Sequence, residues 1–233
     1  YDIRKFCPGF ISIFTHQIPR RDSLTCPDGY DDPDIIIRTM LAVIGRVLFQ
    51  PKCMDNFQRF LWITGESGVG KGTIECVLRG LYQSSDVGTL ANNMETTFGY
   101  AVLKDKLFWI LDELRDDCTM SMADFLRIST GAKTAVRTKY KDAVDVQLGH
   151  GIITTNSCLP KGWRDQKGNL RRRLIVLLFN RPVTRPNPEL EAQCLIELPH
   201  IHVLLVRAFL SMMKEMADRD IKDLTKFWPP YFE

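Results

Sequence analysis

Residues 65–73 read Gly65-Glu66-Ser67-Gly68-Val69-Gly70-Lys71-Gly72-Thr73, and this stretch decides the fold. It follows an apolar run, Phe60 to Thr64, and opens a helical pattern, which is the context a phosphate-binding loop requires. The glycines let backbone N–H groups close around phosphate oxygens, the helix N-terminus adds its positive end, and Lys71 reaches the β- and γ-phosphates. The cofactor expected here is ATP, bound by the whole run from Gly65 to Thr73. One position departs from the usual pattern. Gly72 stands where Ser or Thr ordinarily ligates Mg²⁺, so the metal expectation moves to Thr73, or to a water in its place.

Working outward, short apolar runs alternate with helical stretches: Phe60 to Thr64, a weak one at Val87 to Leu90, Leu107 to Leu111, Ile152 to Thr155 and Leu174 to Phe179. Alternation of this kind predicts an α/β fold, a mostly parallel sheet with helices on both faces. Upstream, residues 1–33 are rich in Pro, Asp and other turn formers and are expected to be irregular. From Asp34, suited to cap a helix, apolar residues recur at helical spacing until Pro51. Downstream, Glu189 to Ala217 reads as two helices broken at Pro199, a small helical lid. The expected organisation is an N-terminal segment over 1–55, a P-loop core over 56–188 and a C-terminal helical segment over 189–233.

The run Leu107-Phe-Trp-Ile-Leu ends in Asp112 and Glu113, 41 positions after Lys71. Doubly wound sheets put ligands at the carboxyl ends of their strands, so this pair is expected to face the phosphates. Asp112 would hold Mg²⁺, and Glu113 would take the proton from an attacking water. A second strand, Ile152-Ile-Thr-Thr, ends in Asn156, whose amide suits orienting that water. Arg171-Arg172-Arg173 precede the run Leu174 to Phe179, and a guanidinium there suits neutralising charge on a transferred phosphoryl group.

The chain has 233 residues, 45% of them hydrophobic, enough for a substantial core. Net charge is only +3, but eight basic residues against one acid lie between Lys161 and Arg185, which invites a polyanion. Seven widely spaced cysteines without a C-x-x-C pair favour reduced thiols and an intracellular setting over a disulfide framework or zinc site. No uninterrupted apolar run approaches the roughly 20 residues of a membrane helix, so no membrane is expected. His200 and His202 fall on different helix faces and are read as packing or solvent groups; Met212, Met213 and Met216 are read as core filling.

In their order, these residues resemble superfamily 3 helicases, in particular the primase-helicases of large DNA viruses and satellite phages. The likeness is carried by the glycine loop, the Phe108-Trp-Ile-Leu-Asp-Glu113 string, the stretch Phe125 to Gln147, and Ile152 to Asn156 followed by Leu159-Pro160 and the arginine run. It spans roughly residues 35–215. The resemblance implies an AAA+-like ATPase assembled as a homo-oligomer, commonly a hexameric ring, around single-stranded DNA, with a primase in the same polypeptide in some members. Lys71, Asp112, Glu113 and Asn156 would then act from one subunit, and Arg172 or Arg173 on the neighbour's nucleotide, with Arg172 preferred. The family's basic hairpin tip would fall on Lys139-Tyr140-Lys141, where lysines suit phosphate and the tyrosine suits stacking on a base.

The expectation is an ATP-driven DNA helicase motor of viral-type genome replication, located in host cytoplasm or nucleus. Two other readings stay open: a nucleotide phosphotransferase of the adenylate-kinase type, suggested by Gly72-Thr73, and an ATP-switched scaffold that loads replication proteins. Glu113 argues against the scaffold, since a switch needs no base.

Overall fold

The computed structural model describes residues 3–22, 26–93, 99–136, 142–156, 159–165 and 167–228. In chain order the elements are α1 (Pro8–Gln17), α2 (Pro33–Gly45), β1 (Phe60–Gly65), α3 (Lys71–Gly80), β2 (Val87–Leu90), β3 (Phe108–Leu111), α4 (Met122–Ser129), β4 (Lys133–Val136), β5 (Val144–Gln147), β6 (His150–Thr155), β7 (Leu174–Phe179) and α5 (Leu190–Asp218). Five strands form one sheet in the order β2-β3-β6-β1-β7. The pairs β2/β3, β3/β6 and β6/β1 are parallel. The fold is α/β with a mostly parallel sheet, as the alternating pattern implies. The chain divides into two compact units, residues 1–46, 66–81 and 179–233, and residues 47–65 and 82–178.

The first unit is helical. Contrary to the expected irregular start, α1 occupies residues 8–17 with Pro8 in its first turn. Proline is tolerated there because that N–H has no helical partner anyway, so Pro8 starts a helix where it was read as a turn. Phe10, Ile13, Phe14 and Gln17 form its buried face. Its first-turn N–H groups, which have no carbonyl partner within the helix, are met by a buried carboxylate: Gly9 and Phe10 donate to Glu197 Oε1 and Oε2 at 2.9 and 3.0 Å, favourable for both hydrogen bonding and helix dipole. The cap of α2 is Asp32, which accepts the Ile35 N–H, not Asp34; Pro33 opens the helix and Arg4 pairs with Asp34. The helix ends at Gly45 rather than at Pro51. A Cβ on Gly45 would sit 2.1 Å from the Leu205 carbonyl oxygen, so its bare Cα is what lets α2 meet α5.

α5 is one helix of 29 residues with Pro199 inside it, not two. A proline in a helix interior costs about 3 kcal/mol. Against that stand Cys194 before it and Ile201, Leu204, Leu205, Phe209, Met212 and Met216 after it, all buried; each large apolar side chain contributes roughly 1.5–3 kcal/mol. Packing therefore outweighs the break. Read as one helix, α5 is long and apolar enough, by length and composition, to cross a membrane, but this buried face packs within its own unit. His200 stacks on Phe6 with ring centroids 5.3 Å apart.

The second unit holds the sheet, built on aromatic packing. Trp109 and Phe60 lie 5.1 Å apart, Phe60 and Phe125 5.2 Å, and Phe125 and Trp163 4.9 Å. The Trp109 indole donates to the Gly149 carbonyl and the Trp163 indole to the Met120 carbonyl, so neither buried ring leaves its N–H unpaired. β4 and β5, which the apolar-run reading did not identify, pair antiparallel with Val136 opposite Val144. They form a hairpin ahead of β6, where the family resemblance expected one. Lys139, Tyr140 and Lys141 lie outside the described residues.

Gly151 of β6 is set beneath Trp109: a Cβ there would fall 2.3 Å from the indole. The Gly151→Ala variant is expected to lose about 1–3 kcal/mol of stability from overpacking, read as a lowered urea midpoint, and pairing it with Trp109→Leu should recover part of that loss. An unchanged midpoint would contradict the packing described.

Candidate nucleotide site

The glycine loop belongs to the first unit from Glu66 onward. Gly68 and Gly70 have φ of +78° and +100°, a region that L side chains rarely adopt. Space around a Cβ is open at Gly68 and Gly72. α3 begins at Lys71, directly after Gly70, so the loop runs into a helix N-terminus as the motif requires. Lys71 is only 9% exposed, and its Nζ donates to the Glu66 carbonyl at 2.6 Å, holding the ammonium over the loop. Val69 is buried, while Glu66, Ser67 and Gly72 are exposed and Thr73 is half-buried.

The acidic pair and β6 with Asn156 lie in the second unit. β3, β6 and β1 are parallel neighbours, with Leu111 opposite Ile153 and Thr64 opposite Thr155. Asp112 with Glu113, Asn156 and the Gly65 exit to the glycine loop are therefore all found at the same edge of the sheet. Sequence reasoning placed these groups at strand ends; it did not find what ties the acidic pair to β6, which is Thr154. Its hydroxyl donates to Asp112 Oδ1 at 2.9 Å and accepts the Glu113 N–H at 3.1 Å. The Leu114 N–H donates to the Thr154 carbonyl, and the Thr155 hydroxyl to the Leu114 carbonyl. Asn92, at the end of β2, adds a second clamp, its amide donating to the Glu113 carbonyl and accepting the Arg115 N–H.

Within that clamp Glu113 has φ +47°, a left-handed conformation for a non-glycine residue. Such a conformation costs about 1–3 kcal/mol and persists where surrounding bonds over-determine it. Both Asp112 and Glu113 are exposed. Asp112 thus has its carboxylate oriented by a buried hydroxyl, while the turn holds the Glu113 side chain toward solvent. Asn156, just beyond β6, is exposed too.

The arginines separate by environment. Arg171 to Arg173 form a 3-10 turn before β7. Arg173 is half-buried, donates to Gln58 Oε1 at 3.0 Å, and has its pKa lowered by burial and then by Arg172. Arg172 is exposed. The Arg171 backbone N–H donates to Asp165 and holds that carboxyl below its usual range. Two members of the basic stretch have partners: Lys161, itself exposed, pairs with Asp116, and half-buried Arg181 donates to Cys26 Sγ. Arg164, Lys167, Arg171, Arg172 and Arg185 remain exposed.

The family described as "Family of unknown function (DUF5906)" matches residues 63–173, from the glycine-loop strand through the arginine turn. A search of the curated proteins finds no match. Among solved structures, the chain is similar to the apo structure of the NrS-1 C terminal region, with TM-score 0.60, 18% identity and 85% of this chain covered. A second apo form of that region gives TM-score 0.59 and 17% identity. A JCV helicase crystallised with a small-molecule ligand gives TM-score 0.47 and 16% identity, covering 99% of this chain and 63% of that one. The chain spans 45% of the NrS-1 C terminal region. At these identities the likeness concerns the fold alone.

Replacing Thr154 by Val keeps the shape and removes both hydroxyl bonds. The variant is expected to lose about 1–3 kcal/mol and to show faster amide hydrogen exchange at Glu113, read by NMR. Protection at Glu113 equal to the parent's would show that Thr154 does not hold the turn.

Proposed function

We propose that the chain is an ATP hydrolase, the motor of a DNA helicase resembling superfamily 3, which works as a ring in viral-type genome replication. One observation carries the reading: three adjacent parallel strands deliver the entry to the glycine loop, the Asp112–Glu113 pair and Asn156 to a single sheet edge. Ligands of open α/β sheets bind outside the carboxyl ends of their strands.

In this reading the loop from Gly65 to Thr73 binds the phosphates of ATP and Lys71 offsets their charge. The oxygen donors Asp112 and Thr73 suit Mg²⁺, which takes few protein ligands and completes its shell with phosphate and water. When bound, the ion supplies charge stabilisation on the transferred phosphoryl group. Asp112 meets it with a carboxylate whose direction Thr154 has already set. Glu113 accepts the proton of the attacking water, and Asn156 orients that water. Arg172, exposed where Arg173 is tied to Gln58, is the finger that reaches a neighbouring copy's nucleotide. Lys139 and Lys141 would hold the backbone of single-stranded DNA with Tyr140 stacking between them. The family resemblance implies a homo-oligomeric ring, commonly hexameric, and a primase in the same polypeptide in some members, while the scattered cysteines suit an intracellular site of action.

The phosphotransferase reading rests on Gly72-Thr73 alone. Glu113 favours hydrolysis, because transfer to a second nucleotide has no water to deprotonate. The Lys71→Ala variant should lose tight ATP binding, whereas Glu113→Gln should bind ATP as the parent does and lose at least about 100-fold in turnover. Equilibrium binding and steady-state hydrolysis separate the two. Parent-rate hydrolysis by Glu113→Gln would remove Glu113 as the base.

A further inference from the structure

A backbone anion receptor has a requirement beyond its glycines. Its N–H groups must face the phosphate, and its carbonyls must face away, because an inward carbonyl repels the anion. Glycine at position 70 permits the left-handed φ the loop adopts, but the same freedom lets the preceding peptide plane turn over at little cost. Something outside the loop must select its orientation.

That selection comes from α1. Its last residue, Gln17, is 1% exposed and fully engaged. Gln17 Nε2 donates to the Val69 carbonyl at 3.0 Å and to the Arg181 carbonyl at 2.9 Å, while Oε1 accepts the Arg181 N–H at 3.0 Å. The Val69 carbonyl needs a donor and the Arg181 N–H needs an acceptor, so the amide can sit only one way round; the Arg181 carbonyl is also within reach of His16 Nε2 at 3.1 Å. The helix that presents it is braced along its length. Glu197 holds the first N–H groups, Phe14 packs edge-on to Phe179 at 6.3 Å, and Ile13 lies against Gly70, 3.1 Å from where a Cβ would stand. All of these groups belong to the first unit. The peptide between Val69 and Gly70 is trans and planar, so its C=O and N–H point in opposite directions. With the carbonyl drawn to Gln17, the Gly70 N–H is turned to the opposite face.

We propose that Gln17 is a positioning residue for the phosphate-binding loop. It holds the Val69–Gly70 peptide with its carbonyl outward and its N–H toward bound phosphate, and ties that peptide to the backbone just after β7. The assignment rests on the reading of the loop as an ATP site. It gives the N-terminal helix a part in nucleotide affinity, although α1 contributes no residue to the loop itself.

Two substitutions test it on the full chain. Gln17→Met keeps the length and packing and removes all three bonds. Gln17→Glu keeps an acceptor for the Arg181 N–H and sets a carboxylate oxygen against the Val69 carbonyl. Titration with ATP should show dissociation constants raised about tenfold or more in both, with Glu at least as damaging as Met. Turnover at saturating ATP should fall less than affinity does. A role in packing alone would leave Met harmless and ATP affinity unchanged in both; folded variants with parent affinity would overturn the proposal. A parent chain that binds no ATP, or a Lys71→Ala variant that binds as tightly as the parent, would instead overturn the loop reading itself. The unsubstituted protein gives an independent measurement should either variant fail to fold: the Gln17 side-chain amide protons should exchange slowly with solvent and more slowly still with ATP. Fast exchange would overturn the proposal.

Discussion

Parallel strands that lie side by side must all end at the same edge of their sheet, and no tight turn can join them. Much of this chain follows from that constraint. Because β3, β6 and β1 are neighbours in one parallel set, residues 65, 112 and 156, far apart in sequence, leave the sheet together. The crossovers between them carry α3, α4 and the β4–β5 hairpin. The hydrogen bonds follow the same geometry. A hydroxyl on β6 reaches the carboxylate that ends β3, and the Leu114 N–H bonds back to β6.

What could be read from the sequence was what buried parallel strands write plainly. Phe108 to Leu111 and Ile152 to Thr155 are continuous apolar or β-branched runs because both faces are covered, and a polar residue follows each run closely, Asp112 after the first and Asn156 after the second. The hairpin strands lack that signature. β5 is mostly exposed, with Val144 at 46%, and its Val-Asp-Val-Gln alternates instead of running continuously apolar. Proline misled twice, for one reason: its meaning depends on context. Pro8 starts a helix because it occupies the first turn, and Pro199 fails to end one because the buried face on either side outweighs the missing bond.

Thr154 and Gln17 had no local signal at all. Thr154 is an ordinary strand residue until the β3–β6 register sets it beside Asp112. Gln17 meets partners 52 and 164 positions away, and nothing near it in the chain hints at either. The groups proposed to carry chemistry sit at strand ends or in the glycine loop and are visible to motif reading. The groups that aim them are single polar residues whose partners only the tertiary structure supplies. Glu113 shows the two kinds together: its position was readable, while its strained φ and the clamp that sustains it were not.

The proposed activity of this edge is ATP hydrolysis coupled to movement along single-stranded DNA. The most direct measurement is steady-state ATP hydrolysis with and without single-stranded DNA over a range of salt concentrations. Hydrolysis should be stimulated by DNA, with the stimulation fading as salt rises, since phosphate contacts release counterions. Hydrolysis indifferent to DNA at every salt concentration, with phosphoryl transfer to a nucleoside monophosphate in its place, would contradict it.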